Sequence, residues 1–352
     1  MWRPTATPAN LRYSKFAAVV GKSIAVLGAG SWGTALAMQL ARVGHTVQFW
    51  ARDPSHVESM IERGENGRYL PGFALAESIK PTSDLDGALK GANRILLAVP
   101  SSAFAGVLDR IADRIDASCG LAWATKGFEP GTGRLLSASA RERLGPAAPL
   151  AAVTGPSFAG EVARGLPTAV TVGASEPEFG RAWAALLHGR SFRAYYTSDL
   201  IGAQLGGSVK NVLAIACGMA DGLGLGHNTR AALITRGLAE LMRLGEAMGA
   251  EGRTLMGLAG LGDLVLTCTG DASRNRQFGL ALGKGKTPER AMRDIGQVVE
   301  GYHAAEEVMR AAGRAGVEMP ISEQVHGILF RGWSAAKGVK VLMEREPKAE
   351  ND

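Results

Sequence analysis

IAVLGAGSWGTALA, residues 24–37, joins a short apolar run to a small-residue helical pattern through Gly28-Ala29-Gly30-Ser31-Trp32-Gly33. A strand that enters such a turn and leaves it as a helix aims the helix N-terminus, with its unpaired N–H groups, at an anion. Gly28 permits the tight turn, Gly30 lets backbone approach a pyrophosphate, and Gly33 lets the helix pack closely on its strand. A second apolar run, Thr46 to Trp50, follows. The glycine spacing alone is a weak signal, but strand, turn, helix and next strand in this order point to dinucleotide binding.

The end of that second strand bears on which dinucleotide is bound. An acidic side chain there accepts hydrogen bonds from a ribose 2′-hydroxyl, whereas an arginine suits a 2′-phosphate. The chain reads Trp50-Ala51-Arg52-Asp53. Arg52 points to NADPH; Asp53 leaves NADH open, or caps a helix beginning near Pro54.

Working outward, β-like runs alternate with helical patterns from residue 23 to about 196: Ser23–Leu27, Thr46–Trp50, Arg94–Val99, Gly120–Ala124, Ala151–Thr154, Thr168–Val172 and Phe192–Tyr196. This alternation predicts an α/β region with a doubly wound, mostly parallel sheet of Rossmann type. From Asp199 onward, long helix-period stretches broken by glycine loops predict an all-helical C-terminal domain. The expected division is a disordered extension over 1–20, a nucleotide-binding domain over 21–198, a helical substrate domain over 199–345 and a disordered tail over 346–352.

Composition excludes several classes. With 352 residues, 46% hydrophobic and 20% charged, the chain reads as an ordinary globular protein of about two domains. The net charge of +6 comes from basic residues scattered among acidic ones, without the block or stripe that marks a nucleic-acid binder. Cys119, Cys217 and Cys268 are isolated and odd in number, which argues against a disulfide framework and for a reducing compartment. The six histidines lack metal-ligand spacing, so no metal is expected. No run reaches the roughly 18 apolar residues of a membrane span. The first 20 residues carry no acid but also no apolar signal core, and read as a disordered tail or an upstream start.

Ligands of doubly wound sheets sit beyond the carboxyl ends of the strands. Three polar, glycine-rich turns fall there: Val99-Pro100-Ser101, Thr125-Lys126-Gly127 and Gly155-Pro156-Ser157-Phe158-Ala159. They are expected to line one crevice, with Lys126 pointing into it. Lys210 stands among small apolar residues in GGSVKNVLAIA, 206–216. A charge there must be paired or used, and a desolvated lysine near another cation becomes a proton donor at neutral pH. Asp263 and Thr267 share a helical face, and Asp263 suits the role of partner to Lys210, although a helix cap is the plainer alternative. Ser273, Arg274 and Asn275 offer donors for a phosphate. Together these residues suit reduction of a ketone on a small phosphorylated substrate, one cation protonating the oxygen while another fixes the anion.

The chain resembles the bacterial NAD(P)-dependent sn-glycerol-3-phosphate dehydrogenases from about residue 22 to 342. The resemblance is carried by GAGSWGTALA (28–37), ATKG (124–127), GPSFAGEVARGLPTAV (155–170), GGSVKNVLAIACG (206–218), NTRAALITRGLAE (228–240), GLGDLVLTCTGDASRNRQFG (260–279) and VVEGY (298–302). It implies interconversion of dihydroxyacetone phosphate and sn-glycerol 3-phosphate for glycerophospholipid synthesis. By it, Lys210 is the proton donor and acceptor, and Lys126 contacts substrate and cofactor. Asp263, Ser273, Arg274 and Asn275 hold the substrate beside Gly155 and Ser157. Ser31, Trp32, Arg52, Ala159, Arg274, Val298 and Glu300 meet the cofactor, and Thr267 and Asn211 neighbour the reacting centre. Gly160 and His227 depart from the usual pattern, away from the expected chemistry. A cytoplasmic enzyme, with a homodimer plausible, completes the expectation. Two alternatives stay open on the residues: a reductase of similar build acting on a carboxylate, and a dinucleotide-sensing regulator.

Overall fold

The computed structural model describes residues 21–115, 119–346 and 349. The expected extension over 1–20, and residues 347, 348 and 350–352 of the expected tail, lie outside them.

The N-terminal part runs β1 (Ser23–Leu27), α1 (Ser31–Arg42), β2 (Thr46–Trp50), α2 (Pro54–Arg63), β3 (Ile79–Thr82), α3 (Leu85–Leu89), β4 (Arg94–Leu97), α4 (Ser101–Ile111), β5 (Leu121–Trp123), β6 (Phe128–Glu129), β7 (Arg134–Leu135), α5 (Leu136–Leu144), β8 (Leu150–Thr154), α6 (Ala159–Ala163), β9 (Thr168–Ala174), α7 (Pro177–Leu187) and β10 (Phe192–Thr197). Eight strands form one sheet in the order β10-β9-β8-β5-β4-β1-β2-β3, parallel except where β8 meets β9. Successive residues of each strand face opposite sides. Ile24, Val26, Phe49 and Leu96 enter one core, while Ala25, Leu27, Trp50, Ile95 and Leu97 enter the other. Helices cover both faces, so the strands read as continuous apolar runs rather than alternating ones.

Two strand features escaped the sequence pattern. β3, Ile-Lys-Pro-Thr, carries Pro81 and lies at the sheet edge, where a missing N–H costs no ladder bond. The β6–β7 hairpin is too short to show a period. Its Phe128 and Leu135 pack into the helical core, and Glu307 accepts the N–H groups of Gly131 and Gly133 at 2.8 and 2.7 Å.

The C-terminal part runs α8 (Leu200–Gly222), α9 (Gly226–Ala247), α10 (Gly252–Leu255), a π-helical turn at Leu258–Gly262, α11 (Asp263–Thr269), α12 (Arg274–Gly283), α13 (Pro288–Ile295), α14 (Glu300–Ala315), α15 (Pro320–Phe330) and α16 (Ala335–Met343). Asp199 starts α8 by accepting from the Gly202 N–H at 2.7 Å. The helix is then buried almost all round, the mark of a central core helix. Its neighbours meet it backbone to backbone: a Cβ on Gly218 would lie 2.1 Å from the Arg276 carbonyl oxygen, and one on Gly279 would lie 2.1 Å from that of Ile215. This close seam sets α12 and its leading Ser273-Arg274-Asn275 beside Lys210 and Asn211.

Candidate active site

The sheet reverses its order between β1 and β4, and the glycine turn leaves β1 at that point. Gly28 has φ +122°, and a Cβ there would lie 2.5 Å from the Ala98 carbonyl oxygen that follows β4. A Cβ on Gly33 would lie 2.0 Å from the Gly28 carbonyl oxygen. Gly30 differs: its backbone is ordinary, φ −75°, and nothing stands within 4 Å of where its Cβ would be. No side chain caps α1. The turn is closed behind and open in front, with first-turn N–H groups unmet, which fits a dinucleotide pyrophosphate. Ser31 and Trp32 occupy that first turn. Ser31 Oγ donates to the Tyr69 carbonyl at 2.6 Å, and Trp32 Nε1 is buried without a hydrogen-bond partner among the described residues.

At the end of β2, Asp53 caps α2 by accepting from the Ser55 N–H at 3.1 Å, and it pairs with Arg68 at 3.1 Å. The Ser55 hydroxyl, together with the backbone donors and Arg68, holds its carboxyl below the usual range. Arg52 is exposed. Asp53 thus takes up the helix-capping role that the sequence left open beside a ribose contact.

Three chain segments bring the charged cluster together. Lys126 follows β5, Lys210 sits midway along α8, and Asp263 and Thr267 share a face of α11. Lys210 Nζ donates to Asp263 Oδ1 at 2.5 Å and to Thr267 Oγ1 at 2.9 Å. Lys126 Nζ donates to Asp263 Oδ2 at 2.8 Å. Asp263 is 1% exposed and Lys210 6%. The Asp263 carboxylate caps no helix, since its two oxygens each hold one lysine. Thr267 Oγ1 donates onward to the Asp263 carbonyl at 2.6 Å, fixing its lone pair toward Lys210.

Two lysines on one carboxylate leave a net positive charge in a site largely shut from water, where it acts strongly on an oxyanion or phosphate. Burial pulls the Lys210 ammonium down to about 8; the Asp263 charge opposes this and the Lys126 charge adds to it. For Lys126, burial also pulls down, but the Asp263 charge and hydrogen bond outweigh it and raise the group above its ordinary value. Of the two, Lys210 is the one able to exchange a proton near neutral pH.

A second network, of amides gathered on the Glu300 carboxylate, adjoins the first. Asn211 Nδ2 donates to Glu300 Oε2 at 3.3 Å, Asn275 Nδ2 donates to Asn211 Oδ1 at 2.9 Å, and Asn275 Oδ1 accepts the Gly301 N–H at 2.9 Å. Ser273 caps α12, accepting from the Arg276 N–H at 3.3 Å, and Arg274 donates to Gln297 at 3.3 Å. Arg276 pairs with Asp221 and Asp271. Gly155 has φ +126°, and Ser157 Oγ donates to its carbonyl at 2.9 Å. Ala159 opens α6, and Val298 is over half exposed.

The three expected turns do converge: Thr125 Oγ1 donates to the Val99 carbonyl at 2.8 Å, and a Cβ on Gly207 would lie 3.1 Å from Oγ1 of Thr154, the residue before Gly155, and 3.4 Å from Cγ of Lys126. The sequence reading missed Thr154, whose buried Oγ1 has no partner among the described residues and which faces Gly207 beside the Lys126 stem. It also missed Gln297 and Asn66. Lone polar residues in strands or loops carry no periodic signal; burial marks Thr154 and Asn66, and only its bond to Arg274 marks the exposed Gln297.

Comparison with known proteins adds family and substrate. The family model described as NAD-dependent glycerol-3-phosphate dehydrogenase N-terminus matches residues 23–180, and its C-terminus counterpart matches residues 199–340. Glycerol-3-phosphate dehydrogenase [NAD(P)+] of Stenotrophomonas maltophilia (strain R551-3) is 57% identical over 327 residues, covering 93% of this chain and 96% of that one. A crystal structure of glycerol-3-phosphate dehydrogenase from Coxiella burnetii superposes with a TM-score of 0.89 at 48% identity, over 92% of this chain and 99% of that one. The Saccharomyces cerevisiae enzyme structure gives 0.79 at 26% identity, over 92% and 100%.

Proposed function

Because the chain belongs to the NAD-dependent glycerol-3-phosphate dehydrogenase family, we propose that Lys210 is the group through which it moves the proton in that reaction. The protein is an NAD(P)-dependent oxidoreductase acting on glycerol 3-phosphate. What supports the assignment is the pair of Lys210 bonds, to Asp263 at 2.5 Å and Thr267 at 2.9 Å, on an ammonium drawn down to about 8.

When bound, the cofactor supplies the hydride to the carbonyl carbon of dihydroxyacetone phosphate. Lys210 Nζ gives its proton to the carbonyl oxygen as that oxygen gains negative charge, and takes it back in the oxidation of sn-glycerol 3-phosphate. Asp263 orients Lys210 and Lys126 together, and Thr267 fixes the direction of the Lys210 ammonium. Lys126 stabilises the oxyanion and reaches both substrate and cofactor. Ser273, Arg274 and Asn275 hold the phosphate, with Gly155, Ser157 and Asn211 completing the pocket. Gly28, Gly30 and Gly33 shape the pyrophosphate cradle, and Ser31, Trp32, Arg52, Ala159, Arg274, Val298 and Glu300 line the rest of the cofactor site. Arg52 favours NADPH, since Asp53 is engaged by its helix and by Arg68.

The same proposal keeps the domain division at 198/199, a cytoplasmic location, a homodimer and a role in glycerophospholipid synthesis. The one described helix long and apolar enough to cross a bilayer, Leu200–Gly222, has 94% of its most apolar 18-residue window buried, which supports an enzyme that inserts in no membrane.

The test follows NADPH absorbance with dihydroxyacetone phosphate for the wild type and Lys210→Ala. The expected loss of rate is about 10²- to 10⁴-fold, the usual worth of a general acid, with NADPH affinity kept. Turnover undiminished in Lys210→Ala removes Lys210 as the acid.

A further inference from the structure

The loop between α2 and β3 holds one side chain that the proposed chemistry does not use. Asn66 is 0% exposed. Its Nδ2 donates to the Ala29 carbonyl at 2.9 Å and to Thr34 Oγ1 at 2.8 Å. Its Oδ1 accepts the Tyr69 N–H at 3.2 Å and stands 2.9 Å from His56 Nε2. Both amide hydrogens and both oxygen lone pairs are therefore matched. Thr34 Oγ1, held by Asn66, donates in turn to the Gly30 carbonyl at 2.8 Å. Both carbonyls of the Ala29-Gly30 pair, at the centre of the glycine turn, are thus tied to this one amide, directly or through Thr34.

The orientation of a peptide group follows from this. In a trans peptide the carbonyl and the following N–H lie in one plane and point in opposite directions, and the described chain contains no cis bond. Fixing the Ala29 carbonyl onto Asn66 therefore turns the Gly30 N–H to the opposite side. Glycine at 30 has little intrinsic preference for one peptide orientation over another, so an external anchor is what removes the alternatives. A second tie from the same loop, Ser31 Oγ to the Tyr69 carbonyl, holds the next residue.

We propose that Asn66 is a positioning residue for the cofactor: it locks the Ala29–Gly30 peptide so that the Gly30 N–H is presented to the pyrophosphate before binding. This rests on the reading of Gly28–Gly33 as the pyrophosphate turn. Preorganised donors bind an anion without an ordering cost at the moment of contact, so the effect falls on cofactor affinity and not on the chemical step.

Asn66→Asp tests this, because it keeps the shape and the acceptor facing Tyr69 and His56 while replacing the donor that faces the Ala29 carbonyl with an acceptor. Binding is read by NADPH and NADH fluorescence titration, without substrate, beside steady-state kinetics and thermal unfolding. The expected result is a dissociation constant raised at least tenfold for both cofactors by a similar factor, the pyrophosphate being common to them. The KM for dihydroxyacetone phosphate and kcat at saturating cofactor stay within about twofold. A folded variant with unchanged cofactor affinity, or one that loses kcat alone, overturns the proposal. If Asn66→Asp does not fold, Thr34→Val removes the hydroxyl between Asn66 and the Gly30 carbonyl; a smaller loss of affinity for both cofactors supports the proposal, and none overturns it. A wild type that binds neither cofactor ends the reading of the turn itself, an outcome distinct from wild-type binding that the substitutions leave unmoved.

Discussion

The glycine turn after β1 and the lysine–aspartate cluster at α8 and α11 both handle negative charge, by opposite means. The turn offers backbone N–H groups at a helix end, and its key positions are defined by side chains that are missing: Gly28 and Gly33 because a Cβ would strike backbone, Gly30 because space is left open. The cluster offers full charges on long side chains, buried against one carboxylate. Backbone dipoles cost little to bury and suit tight, unreactive holding of a pyrophosphate. Buried ammonium groups are costly, and that cost is what moves a lysine into the range where it gives up a proton. One region binds because it is satisfied in advance, and the other reacts because it is held away from its ordinary state.

The largest expected effect comes from breaking the charged side. Asp263→Asn takes from buried Lys210 and part-buried Lys126 the carboxylate that holds both, and a loss of stability of about 3–5 kcal/mol is expected in urea unfolding, as for other buried pairs deprived of one partner. The pH dependence sharpens the same point. Reduction needs protonated Lys210, so the wild-type rate falls as pH rises through about 8, and the reverse reaction falls as pH drops through it. Asp263 is the group that raises the Lys210 value, so its removal leaves burial and Lys126 to lower it further. The break in the reduction profile of Asp263→Asn is therefore expected below that of the wild type; a break that moves upward contradicts the electrostatic account.

Next in size is a contrast within the turn. Gly33→Ala forces a methyl onto the Gly28 carbonyl and is expected to cost about 3 kcal/mol of stability by overpacking. Gly30→Ala meets no atom of the fold and is expected to change stability by less than about 1 kcal/mol, yet to weaken NADPH binding at least tenfold. Equal effects of the two substitutions on stability would show that the open and closed sides of the turn are not distinct. The smallest effect belongs to the exposed rim. Arg52→Ala is expected to weaken NADPH about tenfold, or about 1.4 kcal/mol, and to leave NADH nearly unchanged in a paired titration.

The two regions also differ in how far they could be read. The turn lies within fourteen consecutive residues, and its strand, its glycines and its helix all act locally, so β1, α1 and β2 fall where the pattern puts them. β3 did not, because Pro81 argues against a strand except at an edge, and which strand is an edge is known only from the assembled sheet. The hairpin of Phe128–Glu129 and Arg134–Leu135 did not either, because its apolar partners come from α8 and α14, not from its own sequence. In the site, Lys126, Lys210 and Asp263 stand out in the sequence as charges in apolar or glycine-rich surroundings. Asn66 and Thr154 do not, since an asparagine in a loop or a threonine in a strand looks ordinary until its burial and bonding are seen.

Sequence alone determined the alternation of strands and helices, the change to an all-helical pattern after Asp199 and the glycine turn, because backbone sterics and hydrophobic period act between near neighbours. Tertiary structure decided that Lys126 and Lys210 share the two oxygens of Asp263, across 137 and 53 residues of chain. It also decided that Asp53 is taken up by α2 and Arg68, and that Asn66 grips the turn from outside. Proton affinity and anchoring depend on burial and on charges and donors reached through space, and no spacing along the chain encodes those distances.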